Sequence, residues 1–481
     1  MAKILFVNPN KWGRGITPIW IASHYSVLKK NHSVELFDAT FFANWTDNEI
    51  DYNTRNRQYK KSNYSKLVKF SNVSVFDELQ KKILNFKPDI IFWSAISSHI
   101  HGEGEYVNIE HGHNLLSKVN TMNAKLITGG LQATAAPEII FKNFDKIDFL
   151  IRGESELVLE EIADKFDQKK SIEIVNGLVF YDQNKKIKIN PRQELISNLD
   201  HLPDYDYTIF DKQNFLRPYN GSVLKVIDYE LSRGCIYTCS YCVETVIQQY
   251  YGFLDKTPRG ALRNAKKYLR NKSPEKVYRE LKFARDKIGI NLVRAQDTNF
   301  LTIEPSLLSG LENLILNNPL DIKFYIETRP EGINEKTISL LKNLGVDGVG
   351  MGLELAGSKF REKNLNRFVN EEKIIKAFDL LKKAKIKRTS YNIIGLPEQT
   401  EEDILKTIEF NKDLNPDNVT VAFYTPYIGT EQQIKSAKLN YFDNYEKNID
   451  GQLRSVSKDQ TIPVDKLNFY KENFFQLVKG F

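Results

Sequence analysis

The chain has 481 residues, a length that suggests two or three domains. Of these residues 41% are hydrophobic and 27% charged, a balance typical of globular proteins. Its formal charge of +7 is spread over 68 basic and 61 acidic residues without a Lys/Arg block, which argues against a nucleic-acid partner. No apolar run is long enough to span a membrane, and the N-terminus MAKILFVNPN lacks a secretory signal pattern. We therefore expect a cytoplasmic protein without a membrane partner.

Residues 1–168 alternate strand-like and helix-like segments. Five apolar strand patterns occur in order: KILFVN, HSVELFDA, PDIIFWSAIS, AKLITGG and KIDFLIRGE. Strands that alternate with helices predict a parallel sheet, so we expect an α/β domain of the Rossmann-like, doubly wound class. Ligands of such sheets bind beyond the carboxyl ends of the strands. Trp12 and Trp93 are near these ends, where they would cover a flat ligand or pack internally.

The remainder of the chain divides into three parts. Residues 169–222 are predicted to be a connector with a hairpin at GLVFYDQNKKIKI. Residues 223–431 contain six strand–helix units, which predict a partial (β/α)6 barrel with its active site at the carboxyl ends of the strands. The six strand patterns are LKVIDYELS, INLVRAQ, IKFYIET, VDGVGMGLE, IKRTSYNIIG and NVTVAFYT. Residues 432–481 are predicted to be mainly helical.

The segment GCIYTCSYC, just after the first barrel strand, holds the only cysteines of the chain: Cys235, Cys239 and Cys242. Thiolates are the usual ligands of iron–sulfur clusters and of structural zinc. Zinc would need a remote fourth ligand, because all seven histidines precede the motif. A cubane cluster held by three thiolates keeps one iron open for chemistry. The spacing therefore favours a cluster over zinc or over three structural cysteines.

This motif resembles the signature of the radical S-adenosylmethionine (SAM) superfamily. The resemblance implies that the three cysteines hold a 4Fe–4S cluster and that SAM binds the open iron. It further implies an electron donor such as flavodoxin or ferredoxin, whose electron cleaves SAM to methionine and a 5′-deoxyadenosyl radical.

The resemblance extends over residues 200–431 and implies further SAM contacts. The segments RAQDTNF, GLE and NIIGLPEQT match recurrent positions of the family's barrel, although Tyr391 replaces the leading glycine of the last one. Arg329 in IETRP would bind the carboxylate of a ligand or form a structural ion pair. The residues implied to contact SAM are Tyr241, Gln296, Asp297, Glu354, Ile393, Gly395 and Glu398.

The N-terminal segments resemble the cobalamin-binding domain that precedes many such barrels. A glycine pair after the fourth strand would let a nucleotide tail approach the backbone. The D-x-H-x-x-G motif that supplies a histidine to cobalt is absent, and a degenerate domain without a ligand is the alternative. The residues implied to contact cobalamin are Ser94, Ser97, Gly129, Gly130 and Gln132.

Four histidines are concentrated in SHIHGEGEYVNIEHGHN. His99 with His101, or His111 with His113, would ligate cobalt or transfer protons. Spacing of i, i+2 suits a loop or strand better than one helix face. We favour solvated loop histidines over a cobalt site.

Together these features predict a cobalamin-dependent radical SAM methyltransferase. Its substrate would be an unactivated carbon or phosphorus of a small molecule or a natural-product intermediate, in a cavity between the two domains. The alternatives are a radical SAM enzyme, with or without cobalamin, that catalyses rearrangement, cyclisation or oxidation, and a non-catalytic metalloprotein. Methylthio transfer would need a second cysteine-bound cluster, for which no cysteine remains.

Overall fold

A computed structural model describes residues 1–47, 60–95, 108–424, 426–439 and 462–480. Its first sheet has seven strands in the order β2-β1-β3-β4-β5-β6-β7. The five strands β1 to β5 pair in parallel, which confirms the Rossmann-like class. The strands are β1 Lys3–Asn8, β2 Ser33–Asp38, β3 Ile90–Trp93, β4 Lys125–Thr128, β5 Phe149–Ile151, β6 Leu178–Tyr181 and β7 Ile187–Ile189.

Helices cover both faces of this sheet. In α3, buried Val75, Leu79 and Ile83 repeat every four residues, and Ser74 caps the first turn by accepting a hydrogen bond from Asp77 N. The amphipathic repeat therefore fixes which side of the helix meets the core. The helices of this region are α1 Ile19–Leu28, α2 Tyr64–Leu67, α3 Val75–Phe86, α4 Asn108–Leu116, α5 Leu131–Ala135, α6 Pro137–Asn143 and α7 Glu156–Asp167.

The hairpin predicted for the connector extends the first sheet. Strand β6 pairs antiparallel with β5, with Phe149 opposite Phe180, and β7 pairs with β6. The buried side chains of β6 join those of the N-terminal core. The first sheet therefore reaches residue 189 rather than ending near residue 168.

The second sheet is an open half-barrel of order β16-β15-β14-β13-β12-β9-β8, with β8 antiparallel at one edge. Its six parallel strands confirm the predicted α/β partial barrel. Two short strands, β10 and β11, form a separate ribbon beside it. The strands are β8 Leu216–Tyr219, β9 Ser222–Tyr229, β10 Ser232–Arg233, β11 Arg270–Asn271, β12 Leu292–Ala295, β13 Lys323–Thr328, β14 Val346–Glu354, β15 Lys387–Ile394 and β16 Asn418–Phe423.

Helices follow the barrel strands and form its outer layer. Two further helices come after the last strand, and the later of them, α17, packs on β16 and α15. Within the described ranges, no helix has the length and apolar composition needed to cross a membrane. The helices are α8 Glu244–Tyr250, α9 Ala265–Tyr268, α10 Pro274–Ile288, α11 Pro305–Asn317, α12 Glu335–Asn343, α13 Ser358–Leu365, α14 Glu371–Lys383, α15 Glu401–Leu414, α16 Glu431–Lys438 and α17 Val464–Lys479.

A buried ion-pair network joins the two sheets beside the cysteine motif. Arg233 lies 2.5 Å from Glu156, 3.6 Å from Glu154 and 2.8 Å from Glu230. The first two carboxylates belong to the N-terminal sheet region, and all four side chains are at most 5% exposed. The network therefore fixes the residue two positions before the first cysteine relative to the N-terminal domain.

A second contact brings the β1–α1 loop onto the barrel. The backbone N–H of Thr17 donates to the Asp228 carboxylate (3.1 Å), and the Asp228 N–H donates to Thr17 Oγ1 (2.9 Å). Arg217 forms a buried ion pair with the same carboxylate. The carboxyl edge of the first sheet and the interior of the half-barrel are therefore held together.

Candidate active site

One cavity of about 630 Å³ extends along the interior of the half-barrel, from Lys387 at the start of β15 to Ile393 near its end. All three cysteines line it at the carboxyl end of the strands. Its lining, among the described residues, has eight basic side chains, three acidic ones and seven tyrosines. Cavities of roughly 300–1,000 Å³ suit small-molecule ligands. This cavity is therefore the candidate active site.

Hydrogen bonds from the following helix, α8, hold the cysteine loop. Glu244 Oε1 accepts from the N–H of Cys235 (3.1 Å). Gln248 Nε2 donates to the carbonyls of Cys235 and Tyr237, each at 3.0 Å. The Tyr237 N–H lies 3.4 Å from Cys235 Sγ and donates toward the sulfur. The first cysteine is therefore positioned through its backbone on both sides.

The glycine before the first cysteine has a structural requirement. Gly234 has φ +98°, a conformation that L side chains rarely adopt. A Cβ at this position would lie 2.9 Å from the carbonyl oxygen of Tyr268. The turn that leads into the loop therefore needs glycine.

The three thiols share one buried wall of the cavity. Each cysteine is at most 8% exposed, and burial raises the pKa of Cys235 to about 12 and the pKa of Cys242 well above its usual range. A thiolate at this wall therefore needs a nearby cation. Among the described residues, no three His, Cys, Asp or Glu side chains meet at one ion. A cubane does not require that, because each thiolate binds a different iron, so the donor set fits a 4Fe–4S cluster.

Tyr241 and Glu354 meet beside the cysteines. The Tyr241 hydroxyl donates to Glu354 Oε1 at 2.8 Å, and Arg367 lies 3.5 Å from the same oxygen. Glu354 is 7% exposed and has φ +65°, which turns it from the end of β14 into the cavity. Both residues predicted to contact SAM on these two elements therefore line one corner of the cavity, where a carboxylate can accept hydrogen bonds from a ribose.

Arg329 has both an ion pair and a position in the cavity wall. Its guanidinium lies 2.7 Å from Glu331 and stacks over the Tyr237 ring, with its central carbon 3.7 Å from the ring centroid. Its Nη1 is 3.9 Å from Cys239 Sγ. The structure therefore places this cation against the cysteine wall, where it favours a negatively charged cluster.

Two predicted SAM contacts at the end of β12 do not line the cavity. Gln296 Nε2 donates to Asp228 Oδ1 at 2.7 Å. Asp297 accepts from the N–H groups of Leu231 and Ser232 and from the Ser232 hydroxyl, at 2.6 to 3.2 Å. Burial raises the pKa of Asp297 to about 6, although these bonds lower it. Both side chains support the loop before the cysteines, and their direct contact with SAM remains a prediction.

The predicted adenine segment is divided between the cavity and the surface. Ile393 lines the cavity, whereas Gly395, with φ +80°, donates its N–H to Gln399 Oε1 at 2.7 Å. Glu398 has a 46% exposed side chain and pairs with Lys435. That pairing lowers the pKa of the Glu398 carboxyl. The surface position of Glu398 differs from the expected adenine contact, which remains a prediction.

The predicted cobalamin contacts gather at the carboxyl end of β4. Gly130 has φ +98°, and a Cβ there would lie 2.9 Å from Ser94 Oγ. Ser94 is fully buried, and its hydroxyl has no hydrogen-bond partner in the described part of the chain. A Cβ added at Gly129 would lie 3.1 Å from the carbonyl oxygen of Ile151. A crowded glycine turn beside an unsatisfied hydroxyl fits a polar ligand tail.

Two of the predicted histidines have different surroundings from those expected, and three other predicted residues are not described. Ser97, His99 and His101 lie outside the described residues. His111 and His113 are in helix α4 rather than in the expected loop, because the polar run forms an amphipathic turn over the sheet. His113 lies 3.1 Å from Asp145.

The remaining predicted residues on this side are buried. Trp93 is fully buried, and Gly112 packs on its ring, where an added Cβ would lie 2.1 Å away. Trp93 therefore packs internally. The central carbon of the Arg14 guanidinium lies over the Trp12 ring, 5.8 Å from its centroid. Gln132 is buried in the first turn of α5.

The sequence motifs did not indicate two cations of the cavity, Arg14 and Arg367. Arg14 comes from the β1–α1 loop and lines the cavity together with the cysteines. Arg367 donates to the carbonyl of Gly352 and approaches Glu354 after a left-handed turn at Asn366 (φ +51°). Neither residue lies in a recognisable motif, so only the folded chain reveals their position.

Comparisons with known proteins match both the barrel and the whole chain. Residues 229–410 match the radical SAM superfamily. An uncharacterized methyltransferase of Pyrococcus horikoshii is 28% identical over 357 residues, 74% of this chain and 71% of that protein. The anaerobic magnesium-protoporphyrin IX monomethyl ester cyclase of Rubrivivax gelatinosus is 26% identical over 367 residues, 73% of this chain and 59% of the cyclase.

Two solved structures share the fold. The radical SAM methyltransferase TsrM from Kitasatospora setae, with tryptophan and a SAM analogue bound, has a TM-score of 0.64 at 17% identity and covers 91% of this chain and 76% of TsrM. The cobalamin-dependent radical SAM enzyme OxsB has a TM-score of 0.65 at 15% identity and covers 98% of this chain and 67% of OxsB. With the cysteine motif in its expected place, residues 229–410 form a radical SAM domain, which implies an enzyme that uses SAM and a 4Fe–4S cluster. The fold of the whole chain is similar to that of TsrM and OxsB.

Proposed function

We propose that this enzyme is a cobalamin-dependent methyltransferase that methylates an unactivated carbon or phosphorus of a small molecule. The observation that carries the proposal is the packing of helix α5 on helix α8. Leu131 of α5 follows the glycine turn of the first sheet, and it shares one buried cluster with Val243, the residue after Cys242. The ligand edge of the N-terminal domain is therefore next to the cysteine loop.

The bound cofactors would supply a 5′-deoxyadenosyl radical and a methyl group. Overall, one SAM is reduced by one electron to methionine and 5′-deoxyadenosine, which takes up the substrate hydrogen. A second SAM would supply the methyl group that replaces this hydrogen and would leave as S-adenosylhomocysteine, and a second electron would balance the transfer; bound cobalamin would supply the methyl-carrying chemistry. A one-electron donor such as flavodoxin or ferredoxin would provide both electrons.

The protein's own residues would bind and orient these groups. Cys235, Cys239 and Cys242 would hold the cluster, and Glu354 with Tyr241 would bind the ribose side of SAM. Arg329 and Arg367 would offset negative charge at the cysteine wall. The buried cysteine wall would limit the access of water to the radical. On the other side, Ser94, Gly129 and Gly130 would accept the cobalamin tail.

A second candidate function is cofactor-dependent oxidation or cyclisation without methyl transfer. The cyclase of Rubrivivax gelatinosus covers nearly the same share of the chain, 73%, as the methyltransferase-named relative, 74%. The two functions would use the same cysteine wall. They differ in whether a methyl group reaches the product, which an isotope experiment can decide.

The test begins with anaerobic reconstitution with iron, sulfide and hydroxocobalamin, followed by desalting and measurement of iron and cobalt. We expect four irons and close to one cobalt per chain. Incubation with methyl-deuterated SAM and a reductant should then give 5′-deoxyadenosine. A preparation that keeps the cluster but no cobalamin would refute the methyltransferase proposal. Full cobalamin loading with a product that lacks deuterium would favour the cyclase-like alternative.

A further inference from the structure

Strand β14 has three glycines at alternate residues, which all lie on its inward face. The strand reads VDGVGMGLE, with Gly348, Gly350 and Gly352 pointing into the half-barrel. Glycine weakens a strand and in its interior often marks the close approach of another group. Here an added Cβ at Gly350 would lie 2.6 Å from Tyr391, and one at Gly348 would lie 2.9 Å from Tyr325. Gly348 and Gly350 therefore make room for two tyrosine rings that lie across the strand, whereas an added Cβ at Gly352 would meet the Glu354 carboxylate.

These rings form a continuous surface of the cavity, which we call the tyrosine wall: Tyr219, Tyr325 and Tyr391. The hydroxyls of Tyr325 and Tyr391 are hydrogen-bonded at 2.8 Å. The rings of Tyr219 and Tyr325 pack edge to face, with centroids 6.4 Å apart. All three side chains line the cavity. The wall is thus a fixed aromatic surface. One of its members, Tyr391, stands where the motif matched by NIIGLPEQT has its leading glycine in the radical SAM family.

Two cations flank the wall. In the register of the parallel strands, Arg294 is opposite Tyr325, Tyr325 is opposite Gly348, and Gly348 is opposite Lys387. Arg294 lies 3.5 Å from Glu327, at the limit of a hydrogen bond, and Lys387 lies 2.7 Å from Asp347. The described lining has eight basic and three acidic side chains, and Asp228, Glu331 and Asp347 behind it pair with three of the cations, which leaves a small basic excess that favours an anion over a cation.

The wall is separate from the end of the cavity that serves SAM. The Glu354 carboxylate lies over Gly352, so Gly350 is about 7 Å below that carboxylate at the rise of a β-strand. Gly348 is two residues lower still. The tyrosine wall therefore lies in the part of the cavity that the cysteines and the Tyr241–Glu354 corner leave for another ligand.

We propose that the tyrosine wall is the substrate subsite and that it takes a planar aromatic compound bearing an anionic group. The inference rests on the proposed function only in calling that ligand the substrate. A flat ring packs against the tyrosines, and the anionic group is attracted to Arg294 or Lys387. The Tyr391 hydroxyl donates to Glu327 Oε1 at 3.2 Å, and a hydrogen-bond donor on the ring can share that carboxylate.

The test measures binding to the reconstituted protein with saturating SAM, by anaerobic calorimetry, with 2-naphthoate as the probe. Its neutral analogue 2-naphthamide and its cationic analogue 2-naphthamidine have nearly the same shape. We expect naphthoate to bind about tenfold more tightly than naphthamide, because a charge-assisted hydrogen bond is worth about one order of magnitude in affinity. Naphthamidine should bind more weakly than either.

Two variants test the parts of the wall separately. Arg294→Gln should remove most of the preference for naphthoate over naphthamide, and Tyr391→Leu should weaken both probes by a similar factor of about five, for the loss of ring contact. Lys387→Gln tests the other cation if Arg294→Gln does not fold. Arg279→Gln, on the outer helix α10 with a 59% exposed side chain, is the matched control and should change nothing.

Equal affinity for naphthoate and naphthamide, or tighter binding of naphthamidine, would refute the anionic subsite. Competition between naphthoate and SAM would show that the probe occupies the SAM end and would also refute it, as would an unchanged affinity in Tyr391→Leu. Cobalt content and 5′-deoxyadenosine formation, measured on the same preparations, report separately on the proposed function. Its failure is therefore distinguishable from failure of the subsite.

Discussion

Replacement of Glu156 by glutamine tests the ion-pair network between the N-terminal domain and the barrel. The Glu156 side chain is fully buried, and its Oε1 accepts from Arg233 at 2.5 Å and from Ser23 Oγ at 3.2 Å. Burial by itself would raise the pKa of this carboxyl. The charges of Arg233 and His24 outweigh burial and lower the pKa of Glu156 to about 2.

The stability at stake follows from that pKa. The ordinary value is 4.5, and the difference from about 2 corresponds to about 3 kcal/mol at neutral pH. Because the pKa is lower in the folded state, this contribution is complete above pH 4.5 and is lost as the pH falls toward 2. Removal of one partner of a buried ion pair generally costs about 3–5 kcal/mol. We therefore expect Glu156→Gln to lose about 3 kcal/mol at pH 7 and progressively less below pH 4.5.

The assay is urea unfolding followed by tryptophan fluorescence. All four tryptophans, at positions 12, 20, 45 and 93, lie in the N-terminal domain, so the signal reports on the domain that holds Glu156. Glu161→Gln is the control, because Glu161 is on the same helix with a 51% exposed side chain and a surface partner, Lys165. It should change stability by less than about 0.5 kcal/mol. A loss under about 1 kcal/mol for Glu156→Gln at pH 7, or one independent of pH, would refute the reasoning.

Three further predictions address the cofactors. Cys239→Ala should remove the iron-linked absorption at about 400 nm that is typical of cysteine-held clusters. A full cluster in this variant would contradict the ligand assignment. Glu354→Gln should weaken SAM binding about tenfold in equilibrium dialysis and spare the cluster. Glu402→Gln, whose side chain is 74% exposed, is the control, and equal losses in the two variants would remove the special role of Glu354. Gly130→Ala should lower retained cobalt without loss of iron, and Gly357→Ala, which has a similar φ of +99° in open space, should retain both; unchanged cobalt in Gly130→Ala would move the site.

The sequence predicted most of the fold because its signals are local. The run VDGVGMGLE coincides with β14, and four of the other five barrel strands lie within their predicted segments, whereas β9 begins two residues before its segment, at Ser222. The hairpin at residues 178–189 was predicted, but its addition to β5 was not. Strand pairing of that kind depends on a contact between distant segments, which local periodicity does not specify.

The site was predictable where motif residues remain near one another in the fold. The cysteines, Tyr241, Glu354 and Ile393 line one cavity, and their contacts with the cluster and SAM stay predictions. Glu398 does not line this cavity, because its left-handed turn (φ +66°) directs the carboxylate toward Lys435 on α16. The same limit applies to the tyrosine wall, since side chains of three different strands form it and no single segment contains it.

Arg233 makes the docking of the N-terminal domain and the position of the cluster loop interdependent. Two of its three carboxylate partners, Glu154 and Glu156, come from the segment GESE of the N-terminal domain. An isolated barrel would therefore expose a guanidinium that has lost most of its compensating charge, two residues before Cys235. An exchanged N-terminal domain would have to bring an equivalent pair of acids. We therefore expect a chain cut between the two halves to lose order at the cysteine loop.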